Sequence, residues 1–507
     1  MIALALVLGC DGRDRRTPDD RIVVLIPNPA VNPDPRLTFN NYDTKLSVLL
    51  CPGLTSTDGE NQGLAPTLNL AASIERVDDL TRDVVVKDGI TFSDGKPLRA
   101  EDVAFTFQSA LDDDSMPSHA PLAERFTSVK VVRARTVRFA LKDKLATLLS
   151  DLSFGVVSAA SADPATGRFP GGRVVCAGAY RIVELGHDRV LLERNPYYRP
   201  APRTAEIELR LVPDQNAQAL MLAGGSADLI QNTLRADLVD DIDARRRVQV
   251  TSGPSTLTSM LLFQLEHPIL RDVRVRHAIA YAIDRDTIIA AKFHGRARIA
   301  TGLLPPLFWA YEGDVDRYPF DPARAARLLD EAGYPDPDGP GGAPRFRLTY
   351  KTSAEQFRVA IAQIIAQQLG QVGIDVTVRA FEFGTLVADL NAGNFDLASL
   401  QTVPITEPDY LYTYFNSVRI PTGKASMHNR MRYRSARVDE LTAAGRRELD
   451  PARRRAIYAE VQQILARDLP VVPLWHEDNI AVMNVDLDGY QVTPTAMFTG
   501  LAATGKR

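Results

Sequence analysis

Residues 90–107 read ITFSDGKPLRAEDVAFTF, and the order of turn and helix signals inside them decides the fold. The β-branched run Val84-Val85-Val86 leads into a turn at Asp88-Gly89; a second follows at Asp94-Gly95, with Pro97 stiffening its exit. Aspartate followed by glycine supplies the backbone freedom a tight turn demands. Ala100-Glu101-Asp102 then open an amphipathic helix carrying Val103, Phe105 and Phe107. The two carboxylates suit the positive end of the helix dipole. The stretch predicts strand, turn, strand, turn and an acidic helix start.

Working outward, residues 21–26 read as a strand, 27–35 as a Pro/Asn-rich loop and 42–50 as a helix. A β-rich section alternates through Val129 and Val131, then Val137 and Phe139, and closes near Leu141. A strand over 190–194 precedes Asn195-Pro196-Tyr197-Tyr198. The pattern then turns α/β, with a strand over 206–211, a helix over 216–223 stopped by Gly224-Gly225, and a strand over 227–230. Gly253-Pro254 marks a crossing into a new lobe, where Val275, Ile279, Ala282 and Ile283 form one apolar helical stripe and Asp284 suits the next cap.

Residues 346–381 are the clearest βαβ unit. Phe346, Leu348 and Tyr350 alternate, and Ser353-x-x-Gln356 reads as a capping box. Phe357, Ile361, Ile364, Ile365 and Leu369 make a helical stripe, and Ile374, Val376 and Val378 alternate again after Gly373. Such a unit predicts parallel strands with a right-handed crossover. A helix over 453–467 and an apolar strand over 471–475 follow.

With 507 residues, 45% of them hydrophobic and 24% charged, the chain can build two or three lobes with separate cores. A net charge of −4 argues against nucleic acid as a partner, since phosphate binding wants concentrated positive charge. The runs Arg245-Arg246-Arg247 and Arg453-Arg454-Arg455 sit in polar helical segments and read as solvated. At the N-terminus an apolar run from Ile2 to Leu8 is too short to span a hydrocarbon core, which needs about 20 residues. Val7-Leu8-Gly9-Cys10 resembles a bacterial lipobox, although a basic n-region is missing, so the segment reads as a truncated lipoprotein signal or as no signal. On the first reading Cys10 is lipidated, residues 11–20 are a tether and Asp11 implies retention at the inner membrane of an enteric-type bacterium. Cys51 and Cys176 then remain, an even number that permits a disulfide, with two small buried apolar residues as the alternative.

Motifs for catalysis are wanting. Gly224-Gly225-Ser226-Ala227-Asp228 has Asp where a nucleophile elbow needs its second Gly, and sits at a helix end. Asp336-Pro337-Asp338-Gly339 has Arg347 where a calcium loop needs Glu. No two of the seven His stand at a metal-ligand spacing. These readings predict no catalytic centre, no metal and no cofactor.

Five ordered motifs resemble the signatures of bacterial extracellular solute-binding protein family 5, the dipeptide- and oligopeptide-type receptors of ABC importers. They are the stretch already quoted; Asp272-Val273-Arg274-Val275-Arg276 with Ala278 and Ala282-Ile283-Asp284-Arg285; Thr301-Gly302 through Pro305-Pro306 to Trp309-Ala310-Tyr311; Asn394-Phe395-Asp396-Leu397; and Leu469-Pro470-Val471-Val472-Pro473-Leu474. Asn195-Pro196-Tyr197-Tyr198 matches a further family element. The resemblance implies an α/β, two-lobed periplasmic binding protein with an extra lobe inserted in the first, hinge-linked around a cleft. By it, residues 21–50, 174–254 and 478–507 build the first lobe, 51–173 the insertion and 255–477 the second lobe.

The implied function is capture of a peptide-like or other mid-sized solute by lobe closure, and its delivery to ABC permease subunits by a lipid-anchored periplasmic monomer. A sensing receptor of the same fold and, behind it, a hydrolase are the alternatives. Peptide-binding members hold the ligand's α-amino group with an Asp in a W-x-x-D segment; the matching run here is Gln401-Thr402-Val403-Pro404-Ile405-Thr406-Glu407-Pro408-Asp409. Pro404 stands at the carboxylate position, and a buried ammonium without its carboxylate costs roughly 2–5 kcal/mol. That departure argues against a free-amino peptide. Asn40, Asn41, Tyr42, Gln264, Gln401, Thr402, Glu407 and Asp409 are the ligand-contact residues the resemblance implies. Trp309 and Trp475 are read as core residues that could alternatively stack on a ligand.

Overall fold

The hexapeptide Arg21–Ile26, RIVVLI, is a near-continuous apolar run, and such a strand must be covered on both faces. It is: Ile22, Val24 and Ile26 enter one core while Val23 and Leu25 enter another. The strand pairs in parallel with Glu206–Leu211 on one side and Leu229–Gln231 on the other. Arg189–Arg194 and Tyr180–Leu185 extend the sheet antiparallel beyond Glu206–Leu211. The computed structural model describes residues 17–38, 40–57, 64–245, 247–339, 342–422 and 427–507, so Cys10 and the greater part of the expected tether lie outside it.

A second α/β sheet forms around the unit over 346–381. Phe346–Ser353 and Ile374–Phe381 pair in parallel over eight residues, crossed by the helix Gln356–Gly370. Ile361, Ile365 and Leu369 of that helix are buried in the core, as their spacing predicts. The expected capping box does not form. Ser353 is still a strand residue, opposite Phe381, and Glu355 holds the cap position without a side-chain bond. Leu397–Gln401 joins this sheet parallel to Phe346–Ser353, and Ser259–Phe263 runs antiparallel beside it.

The two sheets are one sheet of 12 strands, because the strand Val471–Asn484 belongs to both. Its first half pairs with Ser259–Phe263 and Ala297–Ile299, up to Glu477. From Asp478 onward it pairs with Val248–Pro254 and Leu229–Gln231. The architecture is two α/β lobes joined at this shared strand and at the crossing after Pro254, the hinge-linked arrangement expected from sequence.

A smaller body leaves the first lobe after the helix Asn41–Leu50. Its antiparallel sheet runs Ala71–Arg76, Thr81–Val86, Thr136–Leu141, Phe126–Arg133, covered by the helix Ala100–Asp112. Phe107 of that helix meets Phe139, Phe154 and Phe126 at ring separations of 5.0, 5.4 and 6.0 Å. Asp102 Oδ2 accepts from the Arg99 N–H at 2.8 Å, so the acidic helix start is met. The expected middle strand is not. Residues 90–98 close on themselves through Phe92 N–H to Lys96 O and Leu98 N–H to Ile90 O, leaving one bridge between Thr91 and Pro97. Two turns so close together leave no length for a ladder.

The chain returns to the first lobe where a disulfide joins Cys51 to Cys176, with Cα atoms 4.9 Å apart. Beside it the Gly178 N–H donates to Leu50 O at 2.8 Å, and a Cβ on Gly178 would lie 2.2 Å from that oxygen. Glycine is obligatory there because two backbones touch.

Candidate functional site

The helix Asn41–Leu50 begins where the lobes face each other. Asn40 caps it, its Oδ1 accepting from Tyr42 and Asp43 N–H at 2.8 and 2.9 Å, and its Nδ2 donating to Asp43 Oδ2 at 2.9 Å. Asp43 Oδ1 accepts in turn from the Val31 and Asn32 N–H groups, binding the Pro/Asn-rich loop to the helix. The cap is thus a closed polar knot. Asn40→Ala is expected to lower stability by about 1 kcal/mol, read as a shift of the thermal unfolding midpoint.

Between the lobes lies a cavity of about 1350 Å³. The first lobe contributes Asn40, Asn41, Tyr42 and Lys45, the smaller body Leu68, Asn69 and Ile90, and the second lobe Phe357, Arg358 and Gln401 through Pro404. The shared strand closes the back with Glu477, Asp478 and Asn479. Glu477 accepts from Ser259 Oγ at 2.9 Å and faces Arg358 at 3.4 Å. Asn479 Nδ2 donates to Thr493 and Pro494 carbonyls at 2.9 and 3.0 Å, and its Oδ1 accepts from Asn232 at 2.8 Å. The polar groups on the hinge side of the cavity are therefore held by protein partners.

Of the residues expected to contact a ligand, Asn40, Asn41, Tyr42, Gln401 and Thr402 line this cavity. Thr402 is bonded across the crossing, its N–H to Thr258 O at 2.9 Å and its Oγ1 to the Thr258 N–H at 3.0 Å. Gln264, Glu407 and Asp409 are not among the lining residues. Gln264 bonds Gly393 O at 3.0 Å and the Glu266 N–H at 3.1 Å. Trp309 lies against Arg454 outside the cavity lining, and Trp475 is 1% exposed within the second lobe's core.

Glu407 and Asp409 turn away from the cavity into a buried ionic cluster between the second lobe and the smaller body. Asp409 meets Arg125 and Arg446, each at 3.0 Å. Arg125 also meets Asp151 at 3.3 Å, and Glu407 pairs with Arg454 and accepts from Ser150 Oγ at 3.0 Å. Burial pushes Glu407 up to about 7, with Arg454 opposing, and Asp409 up to about 6, with Arg125 opposing. Three carboxylates matched to three guanidiniums make a joint between bodies. The neighbouring Thr406 and Tyr410 still line the cavity, so the joint lies directly behind its wall.

Sequence reasoning passed over Lys45, Arg358 and Glu477, all cavity-lining. Lys45 and Arg358 look like polar-face residues of amphipathic helices, and only the meeting of the lobes gives them a role. Among the described residues, no group of three or more His, Cys, Asp or Glu forms a metal-holding cluster, and no helix is long and apolar enough to cross a membrane.

The family model described as "Bacterial extracellular solute-binding proteins, family 5 Middle" matches residues 65–421. The oligopeptide-binding protein AppA of Bacillus subtilis (strain 168) is 26% identical over 475 residues, covering 90% of this chain and 86% of that protein. The glutathione-binding protein GsiB of Salmonella typhi is 25% identical over 434 residues, 83% of this chain and 82% of its own length. Among solved structures, NikA from Brucella suis in complex with Fe(III)-EDTA superposes with a TM-score of 0.86 at 22% identity, covering 96% of this chain and all of that one (100%). AppA from Bacillus subtilis in complex with a nonapeptide gives a TM-score of 0.78 at 24% identity, over 96% of this chain and 99% of the other. A cleft between two hinge-linked lobes, and a family match over most of the chain, lead to one assignment: the chain belongs to the bacterial extracellular solute-binding proteins of family 5.

Proposed function

We propose that this protein is the extracytoplasmic solute-binding subunit of an ABC importer, capturing a peptide-like or other mid-sized solute by lobe closure and delivering it to the permease. The observation that carries the reading is the cavity of about 1350 Å³ shared by lobes that meet at one strand. It exceeds the roughly 300–1,000 Å³ of an ordinary small-ligand pocket. The names of the relatives, an oligopeptide-binding and a glutathione-binding protein, support the peptide-like class. The work is binding and release, without chemistry on the solute. The lobes divide at residues 50/51, 173/174, 254/255 and 477/478; support comes from the disulfide at Cys51 and Cys176 and from the partner change after Glu477. The protein acts as a monomer in the periplasm, lipidated at Cys10 and anchored to the inner membrane, and its disulfide suits that compartment.

Mass spectrometry of small molecules released on denaturing the purified protein tests the reading. Stoichiometric release of a peptide-like solute, rebinding with a rise in melting temperature, is the expected result. Turnover of the rebound solute, or a protein indifferent to every peptide-like solute, would sink it.

A further inference from the structure

Eight basic side chains are buried among the described residues: Arg36, Lys45, Arg82, Arg276, Arg285, Lys351, Arg430 and Arg454. Seven rest on oxygen. Arg36 pairs with Asp34, Lys351 with Asp389 and Arg454 with Glu407. Arg82, Arg276 and Arg285 donate to backbone carbonyls, and Arg430 to Asn391 Oδ1. Lys45 alone has neither a carboxylate nor a hydrogen-bond acceptor among the described residues. It is 2% exposed, lines the cavity, and has its Nζ 5.2 Å from the Tyr42 ring and 5.0 Å from the Phe498 ring. Aromatic faces attract a cation but do not replace its hydration. With no acceptor from the described residues, this ammonium is satisfied only from the cavity it lines, by water or, more strongly, by an anion.

The rest of the cavity points the same way. Seven cationic side chains line it against three carboxylates, Glu355, Glu477 and Asp478. Each of the three already faces a guanidinium: Glu355 and Glu477 face Arg358 at 3.8 and 3.4 Å, and Asp478 faces Arg298 at 3.6 Å. An excess of one sign in a low-dielectric cleft attracts the opposite sign. Pro404 lines the cavity without a carboxylate, while Glu407 and Asp409 are held in the ionic cluster behind. The cavity offers a free cation and no unpaired anion among its described residues.

We propose that Lys45 anchors the solute by pairing with a carboxylate of it, so that the ligand is an anionic, carboxylate-bearing molecule whose binding needs no free amino group. The inference rests on the solute-binding reading and names the ligand class for that same cavity. Burial lowers the Lys45 ammonium to about 8, which still leaves it charged at neutral pH.

The test uses N-acetylated tripeptides of mixed composition, each as the free acid and as the C-terminal amide, titrated calorimetrically into the full chain. The wild type should bind acids about 30-fold or more tightly than amides, the factor expected for losing one partner of a buried charge pair. In Lys45→Met, and in Lys45→Gln as a second neutral variant, that ratio should collapse to about one. The unliganded Lys45→Met protein should melt about 1–4 °C higher, because an uncompensated buried charge has been removed. Equal binding of acids and amides by the wild type overturns the inference alone, as does a variant that keeps the ratio. Binding of neither form at millimolar concentration overturns the peptide-like reading and this inference with it.

Discussion

Asp409→Ala is expected to lower the stability of the protein by about 3–5 kcal/mol, the cost of removing one member of a buried ion pair. Asp409 is 3% exposed and stands between Arg125 and Arg446. Without it the half-buried Arg125 and Arg446 guanidiniums lose the carboxylate they share, and Asp151, at 3.3 Å, remains beside Arg125. The loss should appear as a fall in the urea midpoint. An unchanged midpoint would mean that the cluster is solvated and holds nothing together. Because Arg125 lies in the smaller body and Asp409 in the second lobe, the variant should also loosen the joint between them.

The same cluster sets a pH dependence. Glu407 and Asp409 are raised to about 7 and about 6, whereas unfolded carboxylates titrate near 4. Between those values the folded protein holds more protons than the unfolded chain, so stability falls as pH rises. Their contribution is fully present below about pH 4 and lost as pH climbs through 6 to 7. Glu407→Gln should therefore flatten the slope of unfolding midpoint against pH between 5 and 8; an identical slope in the variant would assign the dependence to other groups.

Removal of the disulfide has the second large effect. Cys51 and Cys176 are separated by 125 residues, and a cross-link closing so long a loop removes much of the unfolded chain's freedom. The double variant Cys51→Ser, Cys176→Ser is expected to lose about 2–5 kcal/mol, and dithiothreitol should bring the wild type to the same urea midpoint. Equal midpoints for oxidised, reduced and serine forms would show that the Leu50–Gly178 backbone contact suffices to hold the smaller body's ends.

What could be read from the chain was what is encoded locally. Arg21–Ile26 shows its two-faced burial in six letters, and the unit over 346–381 shows its parallel strands in the change of apolar period from 2 to 3.6 and back. The run from Gln401 to Pro404 could be placed at the cleft by family likeness alone. Partners far apart in the chain could not be read. Asp409 meets Arg125 across 284 residues and Glu407 meets Arg454 across 47, so both carboxylates look like helix-start groups until the lobes assemble. Lys45 is one more lysine on a helix until Phe498, from the far end of the chain, comes to lie 5.0 Å from its ammonium. The capping box at Ser353 failed for the opposite reason: the ladder to Phe381 outlasted the local helix signal.

The strand Val471–Asn484 also restricts which changes of chain length the fold accepts. Side chains alternate along a strand, so one added residue turns everything beyond it to the opposite face. An insertion at Glu477 would leave Val472 and Leu474 in place but exchange the facings of Ala481 and Val482, whose cores lie on opposite sides of the first lobe's sheet. Deletion would do the same. Substitution can retune this strand, but adding or removing a single codon within it breaks one half of the molecule.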